Sequence, residues 1–588
     1  MKNSGSTPVM KQFWEAKKAH PDSIMLFRMG DFYETFDKDA KLASEILGIA
    51  LTKRANGAAA TVPLAGFPYH ALDQHLHKLL KAGHRVAICE QVEDPKLAKG
   101  IVKREVLEVL SPGTAISDRY LEQNENNYLC AVVMNNNECG IAVLDHSTGE
   151  FLTCSRHQSE LLSLIKQFNV SEVIIPESQE KDLQSVLQKE SIFTTQIPDW
   201  CQTYDVAHEA LTSFFNVSTL KGFGIEDNQL SVISAGCALY YVNQNYKGKI
   251  QHITSISLLC KEGFMGLDAF TIRNLELFQS LSNQGIHGTL VGTIDKTVTA
   301  SGSRLLKNWL RQPLTDPERI NKRLDRIAEI ISNNQILDDV KAQLKMMGDM
   351  ERILARIASG KASPRDIVNL GLSLEKIPIV INMIPRKNKS LTQLLKRCLE
   401  TDDIASEILN TIKMDPPILT NKGGYINSGI SNELDELRRL SEDASQWMAN
   451  MQIEEQKNTG ITNLKVGYNR VFGYYLEVTK THLAKVPDHY IRKQTLTNSE
   501  RYFTEELKKY EEKIISAEEK ISNLEIKILD SLQGSIISFA ESIQNNAKIM
   551  ARLDVAVALG CLAISNDHHR PIIDSSNILK INKGRHPV

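Results

Sequence analysis

The nine cysteines of this 588-residue chain are odd in number, scattered from position 89 to position 561, and contain no Cys-x-x-Cys pair. That pattern excludes a disulfide-stapled secreted domain and a cysteine-type zinc site, and points to a reducing compartment. No stretch approaches the 18 or so apolar residues of a membrane span, and residues 1–22 carry no apolar leader segment. A soluble cytoplasmic protein, with no membrane partner, is therefore expected. Neither charge sign dominates: 69 Lys and Arg face 71 Asp and Glu, a formal charge of −2, so any nucleic-acid surface must come from local clustering. Gly-x-x-x-x-Gly-Lys-[Ser/Thr] is also missing. Gly360-Lys361 is followed by Ala362 and lacks the upstream glycine, so no phosphate-cradling loop is readable. His70, His75 and His77, and the pair His568-His569, have no Cys or carboxylate at ligand spacing, and read as surface histidines and not as metal ligands. No Ser or Cys nucleophile has a readable base, and no catalytic residue is assigned.

With 42% hydrophobic and 24% charged residues the composition is that of a globular protein, and the length suggests roughly four domains. Fold class reads as multidomain α/β plus all-α. Residues 1–117 alternate helical and strand patterns, with Thr7-Pro8 opening a helix, a strand at Ile24 to Met29, helices at Asp37 to Leu47 and Ala71 to Lys81, and strands at Arg85 to Glu90 and Glu105 to Leu110. A polar linker, 118–127, leads to 128–250, a meander of three strands followed by α/β units. Long helices dominate 251–430. Segment 431–534 goes out on a helix from Asn432, forms a β-rich head at about 463–496, and starts back on a helix predicted to run unbroken from Glu500 to Gln544; 535–566 completes the return. Residues 567–588 form a last short segment.

Two stretches carry chemistry. In Phe27-Arg-Met-Gly-Asp-Phe-Tyr-Glu-Thr-Phe36 an apolar strand ends at a Gly-Asp turn, and an extended continuation puts Phe32 and Glu34 on one face and Tyr33 on the other. Two readings are open on these residues alone: a core Phe with Glu34 as solvated partner of a lysine, or an exposed wedge beside a hydrogen-bond acceptor. An exposed Phe can enter a base step from the minor groove, where unstacking costs a few kcal/mol and least at a mispair. The second stretch is the head. Residues 462–501 hold seven Lys and Arg against three acidic residues, Glu477, Asp488 and Glu500, with Tyr468, Tyr474, Tyr475 and Tyr490 interleaved. Asn469, Thr495 and Asn498 add side chains suited to phosphate oxygens. Such a patch positions a duplex without reading its sequence.

Together with Pro63 to His70, Val86 to Gln91, Arg104 to Thr114, Arg273 to Leu277, Gly302 to Leu306, Gly467 to Tyr475 and Arg492 to Thr495, these residues resemble the MutS family of DNA mismatch recognition proteins, in order and over essentially the whole chain. The resemblance implies a small α/β mismatch-binding domain at 1–117, an RNase H-like connector at 128–250, a long-helix core and lever at 251–430 and 535–566, and an inserted β-rich clamp within 431–534. It implies that Phe32 stacks on the mispaired base and Glu34 accepts a hydrogen bond from it. Met29, Lys53, Arg54, Asn469, Arg470, Arg492, Lys493, Thr495 and Asn498 become possible DNA contacts. The partner is heteroduplex DNA, and a homodimer and a MutL-type partner are implied in a bacterial, nucleoid-associated setting.

The family is a DNA-dependent ATPase, using ATP and Mg²⁺ in a domain that 567–588 would open. Without a P-loop the chain is expected to be the DNA-engaging portion, with no cofactor of its own and no ATPase activity. Two other classes fit single features: a metal-dependent nuclease using Asp145 with Glu150 at a turn, or a coiled-coil adaptor with Phe32 in the core.

Overall fold

The computed structural model describes residues 7–56, 59–93, 101–116, 121–187, 192–259, 262–282, 285–417, 423–469 and 473–588. Residues 1–362, 372–402 and 537–588 make one compact unit, and 363–371 and 403–536 a second.

The first unit begins with a six-stranded sheet of order β3-β4-β2-β1-β5-β6, formed by β1 (Ser23–Met29), β2 (Phe32–Phe36), β3 (Thr52–Asn56), β4 (Ala59–Pro68), β5 (Arg85–Gln91) and β6 (Arg104–Leu110). β1 is antiparallel to β2 and parallel to β5. Both faces are covered, which is why β1 is a continuous apolar run. Helix Pro8–Ala19, with Thr7 as N-cap and Pro8 in its first turn, brings Met10 and Phe13 onto Met25, Phe27 and Phe36. Helices Asp37–Leu47 and Leu72–Lys81 cover Ile24, Leu26, Tyr33 and Phe67 on the other face. The hairpin β3–β4 is absent from the sequence reading. Pro63, Gly66 and Pro68 within β4 break every strand signal, and pairing of β4 to β2 overrides them.

A second six-stranded sheet has the order β11-β10-β7-β8-β9-β12, from β7 (Leu129–Asn135), β8 (Glu138–Asp145), β9 (Glu150–His157), β10 (Glu172–Pro176), β11 (Thr194–Ile197) and β12 (Ser257–Leu258). The first three form the antiparallel meander read from the sequence, and β10 and β11 add in parallel beside β7. Helix Gln229–Tyr246 covers one face and helix Leu161–Phe168 the other. Helices Ala300–Arg311, Pro317–Ile331 and Ala540–Ser565 pack together beyond this sheet. The first of them starts where Asp554 accepts hydrogen bonds from Thr299 N at 2.8 Å and Thr299 Oγ1 at 2.6 Å.

In the second unit, helix Asn432–Thr459 is capped by Ser431 and ended by Gly460 at φ +65°. A four-stranded antiparallel sheet follows, of order β13-β14-β16-β15: β13 (Lys465–Asn469), β14 (Gly473–Thr479), β15 (Ile491–Thr495) and β16 (Ser499–Phe503). The returning helix is Glu505–Ser538, and Trp447 stacks on its Tyr510 with ring centroids 3.6 Å apart. Two expectations need correction here. Glu500 is in a strand, because Glu500 and Tyr502 alternate onto the inner face of the sheet and extend the head to Phe503, past 496. The single helix to Gln544 is two helices, separated at Phe539. No described helix is long and apolar enough to cross a membrane.

Candidate nucleic-acid interface

The hairpin β1–β2 turns on Gly30 and Asp31, with Gly30 at φ +60°, a value that glycine adopts without the Cβ clash. Register sets Met29 opposite Phe32, Arg28 opposite Tyr33 and Phe27 opposite Glu34. Tyr33 is buried against Phe67 and the helix Leu72–Lys81, and its hydroxyl donates to Glu90, so its proton is held far more tightly than usual by burial and by that carboxylate. Phe32 faces the other way and keeps 47% of its surface exposed. The tip is braced: the Arg28 guanidinium lies 4.0 Å over the Tyr69 ring, Arg28 Nε donates to Gly30 O at 2.5 Å, and Tyr69 N donates to Asp31 O at 2.9 Å. An aromatic ring held out by a braced turn loses little side-chain freedom on stacking, since Phe has only two rotatable torsions.

Glu34, on the Phe32 face, has a partner that sequence reading did not find. Arg54 Nη1 reaches its Oε2 at 2.5 Å, with the guanidinium passing 5.9 Å from the Phe36 ring. Burial pushes the Glu34 carboxyl above its ordinary range, and Arg54 and then Arg104 oppose that rise. Met29 is half-buried against the Phe13–Phe27 cluster. Lys53 is exposed and, adjacent to Arg54 in β3, projects from the opposite face. The signal for the brace was Tyr69 within Pro63 to His70; nothing local in the sequence pairs positions 34 and 54.

In the head, Leu476, Val478, Tyr490 and Tyr502 face inward onto Met448, Met451 and Leu507. Arg492 is 65% exposed, 3.8 Å from Glu500, while Lys493, half-buried, projects from the opposite face with Nζ 5.1 Å from the Phe503 ring. Thr495 and Asn498 are exposed at the β15–β16 turn, closed by Leu496 N donating to Ser499 O at 2.8 Å. Arg501 is consumed internally by Glu477 at 3.0 Å, Gln494 at 3.0 Å and the Tyr475 ring at 4.1 Å. Asn469 ends β13 opposite Gly473, and Arg470 lies outside the described residues.

The competing sites lose their chemistry in three dimensions. Asp145 is fully buried, and its oxygens accept from Ser147 N at 2.8 Å, Ser147 Oγ at 2.7 Å, Asn126 Nδ2 at 2.8 Å and Asn127 N at 3.3 Å. Glu150 accepts from Tyr128 Oη at 2.6 Å, and burial raises its carboxyl. Neither acid is presented to a phosphodiester, so the nuclease reading is withdrawn. Phe32 is not core, so the adaptor reading goes with it. His75 is packed 4.4 Å from the Phe67 ring, and no described cluster of His, Cys, Asp and Glu could hold a metal. Gly360 sits at φ +72° after a helix and Lys361 Nζ donates to Glu108, so these residues cradle no nucleotide phosphate.

Fold and site define a multidomain α/β and helical protein that presents a braced aromatic with a carboxylate beside it, and carries a cationic β head on two long helices. Comparison with known proteins places it. The sequence patterns of MutS domain I, MutS domain II and MutS domain III match residues 7–119, 127–254 and 270–560. Proteins named DNA mismatch repair protein MutS from Phocaeicola vulgatus and Salinibacter ruber are 44% and 42% identical to it over 99% of the chain, which covers 67% and 65% of their own lengths. The Flavobacterium johnsoniae protein of that name is 42% identical, with 67% covered. The chain belongs to the MutS family, and spans about two thirds of the length of these relatives.

Proposed function

We propose that this chain recognises mispaired or unpaired bases in duplex DNA and so initiates mismatch repair. The observation that carries the reading is Phe32, a large apolar ring held half-exposed at a braced turn with a carboxylate on the same face. The ring enters the base step from the minor groove, where a mispair has already lost part of the stacking and pairing energy that a matched step retains. Glu34 beside it adds discrimination: a carboxylate near phosphates is repelled unless a base offers it a donor or it takes up a proton. The head supplies sequence-independent attraction through exposed cations such as Lys465, Lys480 and Arg492.

On this reading residues 1–117 form the mismatch-binding domain. The sheet of 128–250, with its meander and two parallel additions, is an RNase H-like connector; the long helices are core and lever; and the β head is a clamp. A homodimer, a MutL-type partner, ATP with Mg²⁺ bound outside this chain, and a nucleoid-associated cytoplasmic setting complete the proposal. The test is fluorescence anisotropy of a short duplex carrying one G·T mispair against its matched twin. Tighter mismatch binding, with both affinities falling steeply with salt, supports the proposal. Equal affinities overturn it.

A further inference from the structure

We infer that Arg54 is the latch of the mismatch probe: it holds the Glu34 carboxylate against the sheet in the free protein, and a base must compete with it for the same oxygen. The inference rests on the mismatch reading above. The geometry is specific. Phe32 and Glu34 share a face of β2, but the two side chains are differently committed: the ring is 47% exposed, whereas Glu34 Oε2 is already 2.5 Å from Arg54 Nη1. Arg54 arrives from β3, two strands away in the order β3-β4-β2. Gly66 lies directly opposite Glu34 on the intervening strand, and even a Cβ there would meet Glu34 Cγ at 3.4 Å and Tyr33 O at 3.0 Å, so a side chain at 66 would crowd the carboxylate that Arg54 reaches.

The charged groups that reach Glu34 are Arg54 and Arg104. Among the described residues only Arg54 bonds it. Arg104 is directed elsewhere: Nε donates to Arg28 O at 2.6 Å and Nη1 to Val102 O at 2.9 Å. Arg54 is therefore the main group opposing burial at Glu34. It offsets part of the carboxylate's charge, and it opposes the burial that raises the carboxyl and favours the neutral form. A base donor at a mispair must displace the guanidinium, which is then free to turn toward a phosphate. A matched step stays stacked, its base edges are not brought to Glu34, and the latch stays closed.

Removing Arg54 deletes the strongest influence lowering the Glu34 pKa, so the acid is neutral up to a higher pH. A neutral acid is not repelled by phosphates and donates a hydrogen bond. Mismatch affinity of Arg54→Met should then rise on acidification with a midpoint about one pH unit or more above that of the unaltered chain. The experiment measures mismatched and matched duplex affinity from pH 5.5 to 8.5 (roughly one to two units either side of neutrality, spanning the range of raised carboxyls). Arg54→Lys should return the midpoint toward its original place, and Arg54→Met combined with Glu34→Gln should be flat. Circular dichroism melts of each variant establish that it folds. Superimposable pH profiles for Arg54→Met and the unaltered chain, with mismatch preference intact, overturn the latch and leave the mismatch reading standing. Loss of mismatch preference in the unaltered chain overturns that reading instead. A shifted midpoint that persists without the Glu34 carboxyl also overturns the latch.

Discussion

Phe32 and Phe36 lie on the same face of one strand, four residues apart, yet Phe36 is 1% exposed and Phe32 is 47% exposed. Phe13 makes the difference. From helix Pro8–Ala19 its ring meets Phe36 edge-on at 4.8 Å and Phe27 at 5.7 Å, and the cover does not extend to the hairpin tip. Burying that last ring would stabilise the module by about 1.5–3 kcal/mol. The fold leaves that stabilisation unused at the hairpin tip, where the ring stands beside a carboxylate and is open to a ligand.

The head separates its cations by use. Arg492→Ala should weaken matched and mismatched duplexes by the same factor and reduce the slope of log affinity against log salt by about one. Arg501→Ala should act on stability, because its guanidinium is tied to Glu477, Gln494 and the Tyr475 ring. Titrations at several salt concentrations, beside urea unfolding of both variants, check the division. A mismatch-selective loss in Arg492→Ala would contradict the backbone role.

Gly302 and Asp554 form a packed junction in the helical core. A Cβ at Gly302 would sit 2.9 Å from Asp554 Cγ and against its carboxylate, which is buried and already holds Val298 N and Thr299. Gly302→Ala should cost about 1–3 kcal/mol by overpacking. Asp554→Ala should cost at least as much, because it leaves buried donors at the start of helix Ala300–Arg311 without an acceptor. Denaturant unfolding of the two single variants and the double tests this. The double should cost less than the sum, since the two share one contact.

Acid sensitivity should reside in a buried histidine pair. His146 and His252 are both fully buried with ring centroids 4.8 Å apart; burial holds His146 well below its usual range and His252 down to about 4. Well above pH 6.5 both are neutral, folded or unfolded, and contribute no pH dependence. As pH falls from about 6.5 toward 4 the unfolded chain takes protons that the folded chain refuses, and stability drops by up to about 1.4 kcal/mol per histidine per pH unit. Unfolding midpoints between pH 7 and 5 should fall less in His146→Phe than in the unaltered chain. Parallel curves would contradict the assignment.

Much of this was legible in the sequence because it depends on local periodicity. The Gly30-Asp31 turn, the opposite faces of Phe32 and Tyr33, the three-strand meander and the helix from Asn432 follow from alternation, helical spacing and turn residues. What escaped depends on pairing across distance. Strand β4, with Pro63, Gly66 and Pro68, has no strand signature and exists because β2 and β3 flank it. Arg54 therefore read only as a possible DNA contact, and its ion pair with Glu34 was not visible. Glu500 read as the start of a long helix, and the sheet register claims it for β16. Asp145 read as an acid at a hairpin turn, and its burial with four donors around it could not be seen there.

The most direct measurement is the ratio of mismatched to matched duplex affinity for Phe32→Ala beside the unaltered chain, at one salt concentration and with folding confirmed by melting. The account predicts a ratio that collapses to about one, by loss of mismatch affinity of tenfold or more, the ~1.4 kcal/mol expected at the low end for losing one stacked base. Matched-duplex affinity should change by less than about twofold. A ratio that survives the substitution, or an equal loss on both duplexes, would contradict the wedge.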